Sequence, residues 1–221
     1  TKPGNPAAYH VEPGLKPDYD RYIKHMDAQM KELTEKYGPF LAWWYDMRAP
    51  SWTHDRGTHL YAYMRSLQSD VLVNNRVDTC YDRGLDNPTW FVTEGKSAGD
   101  YAVSEISIPR FNRDIPWEYC RVAGIEGTTW YWKPDDVYRP LSEWIRDMVN
   151  SACRDGNFLL GIGPMADGRF EPRLVDQLRQ LGLWLEHYGD SIYGTRGGPF
   201  KPNAWYGSTC KGNNVYVHVF K

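Results

Sequence analysis

Apolar residues in this chain switch between two spacings, and that switching limits the fold more than its composition does. Ile23, Met26, Met30, Leu33 and Tyr37 recur at helical intervals and stop at Gly38 and Pro39, which end helices. Residues 40–45, FLAWWY, are then apolar without a break. A run of that kind predicts a strand covered on both faces, as in a parallel sheet. The unit repeats, with a helix through Leu60, Met64 and Leu67 leading to VLVNNR at 71–76. Further on, a helix with Leu141, Ile145, Met148 and Ala152 facing inward ends at Gly156 and leads to FLLGIGP at 158–164. A last helix carries Leu174, Leu178, Leu181 and Leu185 and ends at Gly189. GDYAVSE (99–105), WEYCRVAG (117–124) and TTWYW (128–132) read as short strands. Helix and buried strand in alternation predict an α/β fold with a parallel sheet.

The two ends differ from this pattern. Residues 1–17 are polar and rich in Pro and Gly and read as an extended lead-in. After Trp205 comes a turn and a strand in which Val215, Val217 and Val219 alternate with Tyr216, His218 and Phe220. Residues 1–200 are therefore expected to form the main domain, and 201–221 to begin an antiparallel β module. A hairpin alone is marginal in water. Residues 77–98 show no period and predict a long loop, often a functional feature in a compact domain.

Several function classes are disfavoured. A formal charge of −2 leaves no basic footprint, so no nucleic acid partner is expected. No apolar run approaches the ~20 residues of a membrane span, so no membrane partner is expected either. Cys80, Cys120, Cys153 and Cys210 lack CxxC spacing, which argues against a zinc site and a disulfide framework. His54 and His59 lie five apart, a poor helical spacing for sharing a metal, and neither metal nor cofactor is expected. The GIGPMADG segment (161–168) lacks the GK[ST] ending of a phosphate loop and reads as a tight turn. Aromatic residues are in excess, with ten Trp and sixteen Tyr, and such rings suit a sugar cleft as readily as a core.

Asp46 poses the chemical question, because it ends the apolar run at 40–45. An unpaired carboxylate in an apolar setting costs several kcal/mol. Parallel α/β sheets collect functional residues at the carboxyl ends of their strands. Asp46, Arg76 and Glu105 all hold such positions, amid Trp43, Trp44, Tyr101, Trp130 and Tyr131. Two carboxyl groups with aromatic walls suit the cleavage of a sugar linkage. Helix capping or a salt bridge is the structural alternative for each carboxylate.

KYGPFLAWWYD, VLVNNR, GDYAVSE, PWEYC, GNFLLGIGPMADG and GLWLEHYGDSIYGTR occur in the order and spacing of the α-L-fucosidases of glycoside hydrolase family 29, which the chain resembles from about residue 22 to its end. The resemblance implies a retaining double displacement on a fucosylated glycan or glycoside, without a cofactor. It implies that Asp46, two residues after Trp44, is the nucleophile. Glu105, closing the GDY-x-x-x-E block, would be the acid/base with a raised pKa, and Glu118 in PWEYC is its rival. Trp44, Arg76 and Tyr131 would bind the sugar. The segments present resemble strands four to eight of a (β/α)8 TIM-like barrel plus the start of a C-terminal β-sandwich. Earlier pocket residues of the family, including two adjacent histidines, have no counterpart. Five strands cannot close a barrel, so a homo-oligomer, a complementing chain or further sequence is expected to cover the open sheet. The competing expectation is a non-catalytic carbohydrate-binding or degenerate half-barrel.

Overall fold

The computed structural model describes residues 16, 18–46, 52–78, 98–105, 107–108, 116–125 and 130–220. Helix α1 (Tyr19–Tyr37) starts where the Asp18 carboxylate accepts the Arg21 N–H at 3.0 Å. It stops at Gly38, whose N–H donates back to the Thr34 carbonyl. Any side chain at 38 would meet that carbonyl oxygen at 2.6 Å, so this stop requires glycine. Then follow β1 (Ala42–Trp43), α2 (His54–Leu67), β2 (Leu72–Val73), a 3-10 turn (Asn75–Val77), β3 (Ala102–Ser104) and β4 (Trp117–Val122). After these come α3 (Leu141–Cys153), β5 (Asn157–Gly161) and α4 (Pro172–Tyr188).

β1 pairs parallel with β2, and β3, β4 and β5 pair parallel in that order. A parallel bridge between Asn74 and Tyr101 joins the two groups. Five strands thus stand side by side in chain order, with their carboxyl ends on one edge. Met30, Leu60, Met64, Val71, Val73 and Val77 form the core between α1, α2 and the first two strands. Trp117 and Tyr119 form a second core, and Ala123, Trp144 and Leu174 a third.

The run at 40–45 is not covered on both faces. Leu41 is 83% exposed and Ala42 is exposed, whereas Tyr45 is buried. Among the described residues β1 pairs only with β2, and Trp43 and Tyr45 join the core formed with α1 and α2. The inward face of α3 also differs from expectation. Leu141, Ile145, Met148 and Ala152 are half-buried, and Trp144, Val149, Ser151 and Cys153 are buried instead. The helix is covered twice, by β5 on one side and by the C-terminal sheet on another, so no single apolar stripe describes it. The described part of TTWYW is not a strand. The Trp130 ring lies over Gly161, and the backbone of Tyr131 and Trp132 lies on Gly163, so the segment crosses the end of β5. Of the long loop, residues 79–97 lie outside the described residues, as do residues 1–15 of the lead-in.

The C-terminal module is a three-stranded antiparallel sheet of β6 (Arg196–Gly197), β7 (Tyr206–Lys211) and β8 (Asn214–Val219). Asp155, at φ 70°, ties it to the end of α3 by accepting the Gly197 N–H at 2.6 Å and pairing with the Arg196 guanidinium. The third strand and this anchor supply what a lone hairpin lacks. His54 pairs with buried Asp78 and His59 with Asp27. Among the described residues no helix is long and apolar enough to cross a membrane, and no group of three His, Cys, Asp or Glu is arranged to hold a metal.

Candidate active site

Strand pleating sends neighbouring residues to opposite faces, and this divides the tryptophan pair that precedes Asp46. The Trp43 ring packs on Phe40 and Tyr45 at 5.3 and 6.2 Å, in the core under α1 and α2. Trp43 is therefore structural. Trp44 faces the other way, with the Arg76 guanidinium 4.8 Å from its ring centroid.

Arg76 is the centre of the arrangement. The 3-10 turn at the end of β2 buries its side chain to 3% exposure. Its Nη1 donates to Asp46 Oδ1 at 3.1 Å and to Glu105 Oε1 at 2.8 Å. The two acceptor oxygens are therefore less than about 6 Å apart, the limit set by bonds of 3.1 and 2.8 Å laid end to end. Asp46 is 62% exposed and Glu105 21%, so both carboxylates meet solvent while their shared cation does not. Arg76 lies 30 residues after Asp46 and 29 before Glu105 in sequence, and the common strand edge brings the three together.

Glu118, on β4, stands beside them. Its Oε1 accepts the Trp44 indole N–H at 3.0 Å, which fixes the tilt of that ring. Burial raises the Glu118 carboxyl above the usual range, and the Trp44 N–H and the Arg76 charge pull it partly back. Cys120, two residues on and so on the same face, has its thiol pushed up to about 12, first by burial and then by Glu105 and Glu118. Burial among these carboxylates thus favours the neutral thiol. Burial and then Glu118 hold the Tyr101 phenol well above its ordinary value. Tyr131 is placed differently: it lies beyond the carboxyl end of β5, the strand farthest from β1 in the sheet, and is 64% exposed.

The Glu118 shift has a sign that stability measurements can read. The folded chain holds this proton more tightly, so from the ordinary glutamate range up to the raised value it binds more protons than the unfolded chain does. Stability is lost across that window. Glu118→Gln keeps an acceptor for the Trp44 N–H and removes the buried charge. It is expected to raise Tm at neutral pH, with a gain that disappears below the ordinary glutamate range. A gain that persists at low pH, or a lower Tm at neutral pH, contradicts this account.

The family profile described as Alpha-L-fucosidase matches residues 3–190 of the chain. Among curated proteins, the chain is 28% identical to an alpha-L-fucosidase of Dictyostelium discoideum, over 96% of this chain and 45% of that protein. It is also 28% identical to one of Branchiostoma floridae, over 87% of this chain and 42% of that protein. Among solved structures it is similar to alpha-L-fucosidase isoenzyme 1 from Paenibacillus thiaminolyticus, with a TM-score of 0.78 and 28% identity over 93% of this chain and 48% of that one. A GH29 alpha-L-fucosidase from Bacteroides thetaiotaomicron, solved as a trapped covalent intermediate, shares the fold with a TM-score of 0.75 at 22% identity, over 92% of this chain and 48% of that one. The chain spans about half the length of the relatives it matches.

Proposed function

The chain belongs to the α-L-fucosidase family, and from that premise we propose that it carries the catalytic centre of a retaining glycosidase that releases terminal α-L-fucose from glycans or glycosides. The observation that carries the reading is the single Arg76 nitrogen that holds both Asp46 and Glu105. Retaining glycosidases keep their two carboxyl groups about 5–5.5 Å apart, and inverting ones about 6.5–9.5 Å, to leave room for a water. The limit of about 6 Å between the acceptor oxygens fits the first arrangement.

Asp46 is the nucleophile in this reading. Its exposed carboxylate attacks the anomeric carbon, and the bond from that carbon to the leaving oxygen breaks. Glu105 gives its proton to that oxygen as it departs. In the second half Glu105 takes a proton from water, the water attacks the anomeric carbon, and the Asp46 ester bond breaks with retained configuration. Arg76 offsets the repulsion between the carboxylates, and Trp44 offers its ring to the apolar face of the 6-deoxy sugar. Tyr131 is assigned to a more distant part of the substrate, in keeping with its place past β5.

We assign β1 to β5 to strands four to eight of a (β/α)8 barrel. Each outer strand pairs on one side only among the described residues, and Leu41 and Leu159 are exposed there. Such edges attract further pairing. A second copy, another chain or further sequence is proposed to cover them.

The test is the configuration of the first product. Proton NMR of a fresh hydrolysis mixture is expected to show α-L-fucose before mutarotation supplies the β anomer. Release of β-L-fucose first overturns the retaining reading.

A further inference from the structure

We propose that Asn74 and Asn75 are positioning residues, which together with Arg76 form a brace at the end of β2 and set the separation of the two carboxylates. The proposal takes the roles of Asp46 and Glu105 from the reading above; the geometry stands without it.

The parallel ladder between β1 and β2 ends early. Its last backbone bond is a long one, from the Asn74 N–H to the Trp43 carbonyl at 3.4 Å. Beyond it the chain turns into the 3-10 segment, and Tyr45 has no strand backbone opposite it. Its N–H and carbonyl are nevertheless satisfied. The Tyr45 N–H donates to Asn74 Oδ1 at 2.9 Å, and Asn74 Nδ2 donates to the Tyr45 carbonyl at 2.9 Å. One side-chain amide thus extends the ladder by a residue, and the residue it fixes is the one before Asp46. Both partners are buried, so an aliphatic side chain at 74 would strand a donor and an acceptor away from water. An amide carries both functions on one side chain, whereas an ionised carboxylate only accepts.

Asn75 does the same on the other side. Its N–H donates to the Tyr101 carbonyl at 2.9 Å, and its Oδ1 accepts the Val103 N–H at 3.0 Å. Val103 lies two residues before Glu105 on β3. Three consecutive side chains therefore act in turn: Asn74 on the strand that delivers Asp46, Asn75 on the strand that delivers Glu105, and Arg76 on both carboxylates. A displacement of 1 Å at a catalytic group costs roughly 10²-fold in rate, so a brace of this kind controls chemistry as well as stability.

The two arms give different kinetic signatures. Asn74→Ala is expected to lower kcat/KM by roughly 10²-fold for phenyl and dinitrophenyl α-L-fucosides alike, because every substrate needs the nucleophile. Asn75→Ala is expected to harm the phenyl fucoside at least about tenfold more than the dinitrophenyl one, because only the poorer leaving group needs a well-placed acid. Asn75→Asp, which keeps an acceptor for the Val103 N–H, is expected to recover most of that loss. Equal losses on both substrates in Asn75→Ala, or an Asn74→Ala variant with undiminished kcat/KM, overturn the proposal. Amide hydrogen exchange on the unsubstituted chain supplies an arm that needs neither variant nor turnover. The Tyr45 and Val103 N–H groups are expected to exchange as slowly as those of the β4–β5 ladder, and fast exchange at either overturns the brace. A chain that shows the slow exchange yet releases no fucose contradicts the hydrolase reading and leaves the brace standing.

Discussion

Asp46→Gly is expected to lower hydrolysis of an aryl α-L-fucoside by at least about 10⁴-fold, because removing a covalent nucleophile closes the whole two-step route. The loss should be one of chemistry and not of folding. Asp46 is mostly exposed, so its removal opens no cavity in the core. Arg76 also keeps its second partner, Glu105, in the variant. Thermal unfolding of the variant should therefore match that of the parent within a few degrees. Added azide is expected to restore turnover, since the deleted carboxylate leaves space beside a buried guanidinium that attracts an anion. The rescued product should be β-L-fucosyl azide, formed by one displacement in place of two. A variant that retains full activity, or an azide product of α configuration, removes Asp46 from the nucleophile role. A parent chain that binds fucose without releasing it favours the non-catalytic half-barrel, in which Asp46 and Glu105 serve only as ion-pair partners of Arg76.

The carboxylates were legible in the sequence because of where a parallel sheet sends its strand ends. Asp46, Arg76 and Glu105 each follow an apolar run, and the order of strands then leaves one edge for all three. The side taken by each tryptophan was not legible. A period of two says that Trp43 and Trp44 diverge, and only the helices packed below decide that Trp43 is the core ring. An apolar run also cannot report its neighbours. Residues 40–45 read as buried on both faces, yet an edge strand is covered only where something packs, and Leu41 is left in solvent. The same blindness affected α3, whose second covered face depends on a C-terminal sheet met some 40 residues later in the chain. Asn74 and Asn75 were visible as polar residues at the end of a strand, but an amide that replaces a backbone ladder has no periodic signature.

Glu105→Ala is expected to separate the two candidates for the acid. General acid catalysis contributes about 10²–10⁴-fold when the leaving group needs a proton, so kcat/KM for a phenyl fucoside should fall by that order. With a dinitrophenyl fucoside, whose anion departs unaided, the first step should be nearly intact. The second step still needs a base to activate water, so the fucosyl-enzyme should accumulate as a burst followed by slow release. Azide, which needs no base, should then accelerate that release. Glu118→Gln should show none of this pattern, because Glu118 already holds the Trp44 indole N–H and its neutral analogue keeps that bond. The geometry gives the reason for the difference. Glu105 shares one Arg76 nitrogen with Asp46, which keeps their two acceptor oxygens less than about 6 Å apart, and it remains open to solvent. Burial favours the neutral form of Glu118, and its carboxyl is already engaged by the Trp44 indole N–H. A reversed outcome, with the leaving-group dependence in the Glu118 variant, would leave Arg76 joining the nucleophile to a spectator, and the shared nitrogen would then report only electrostatic balance in the site.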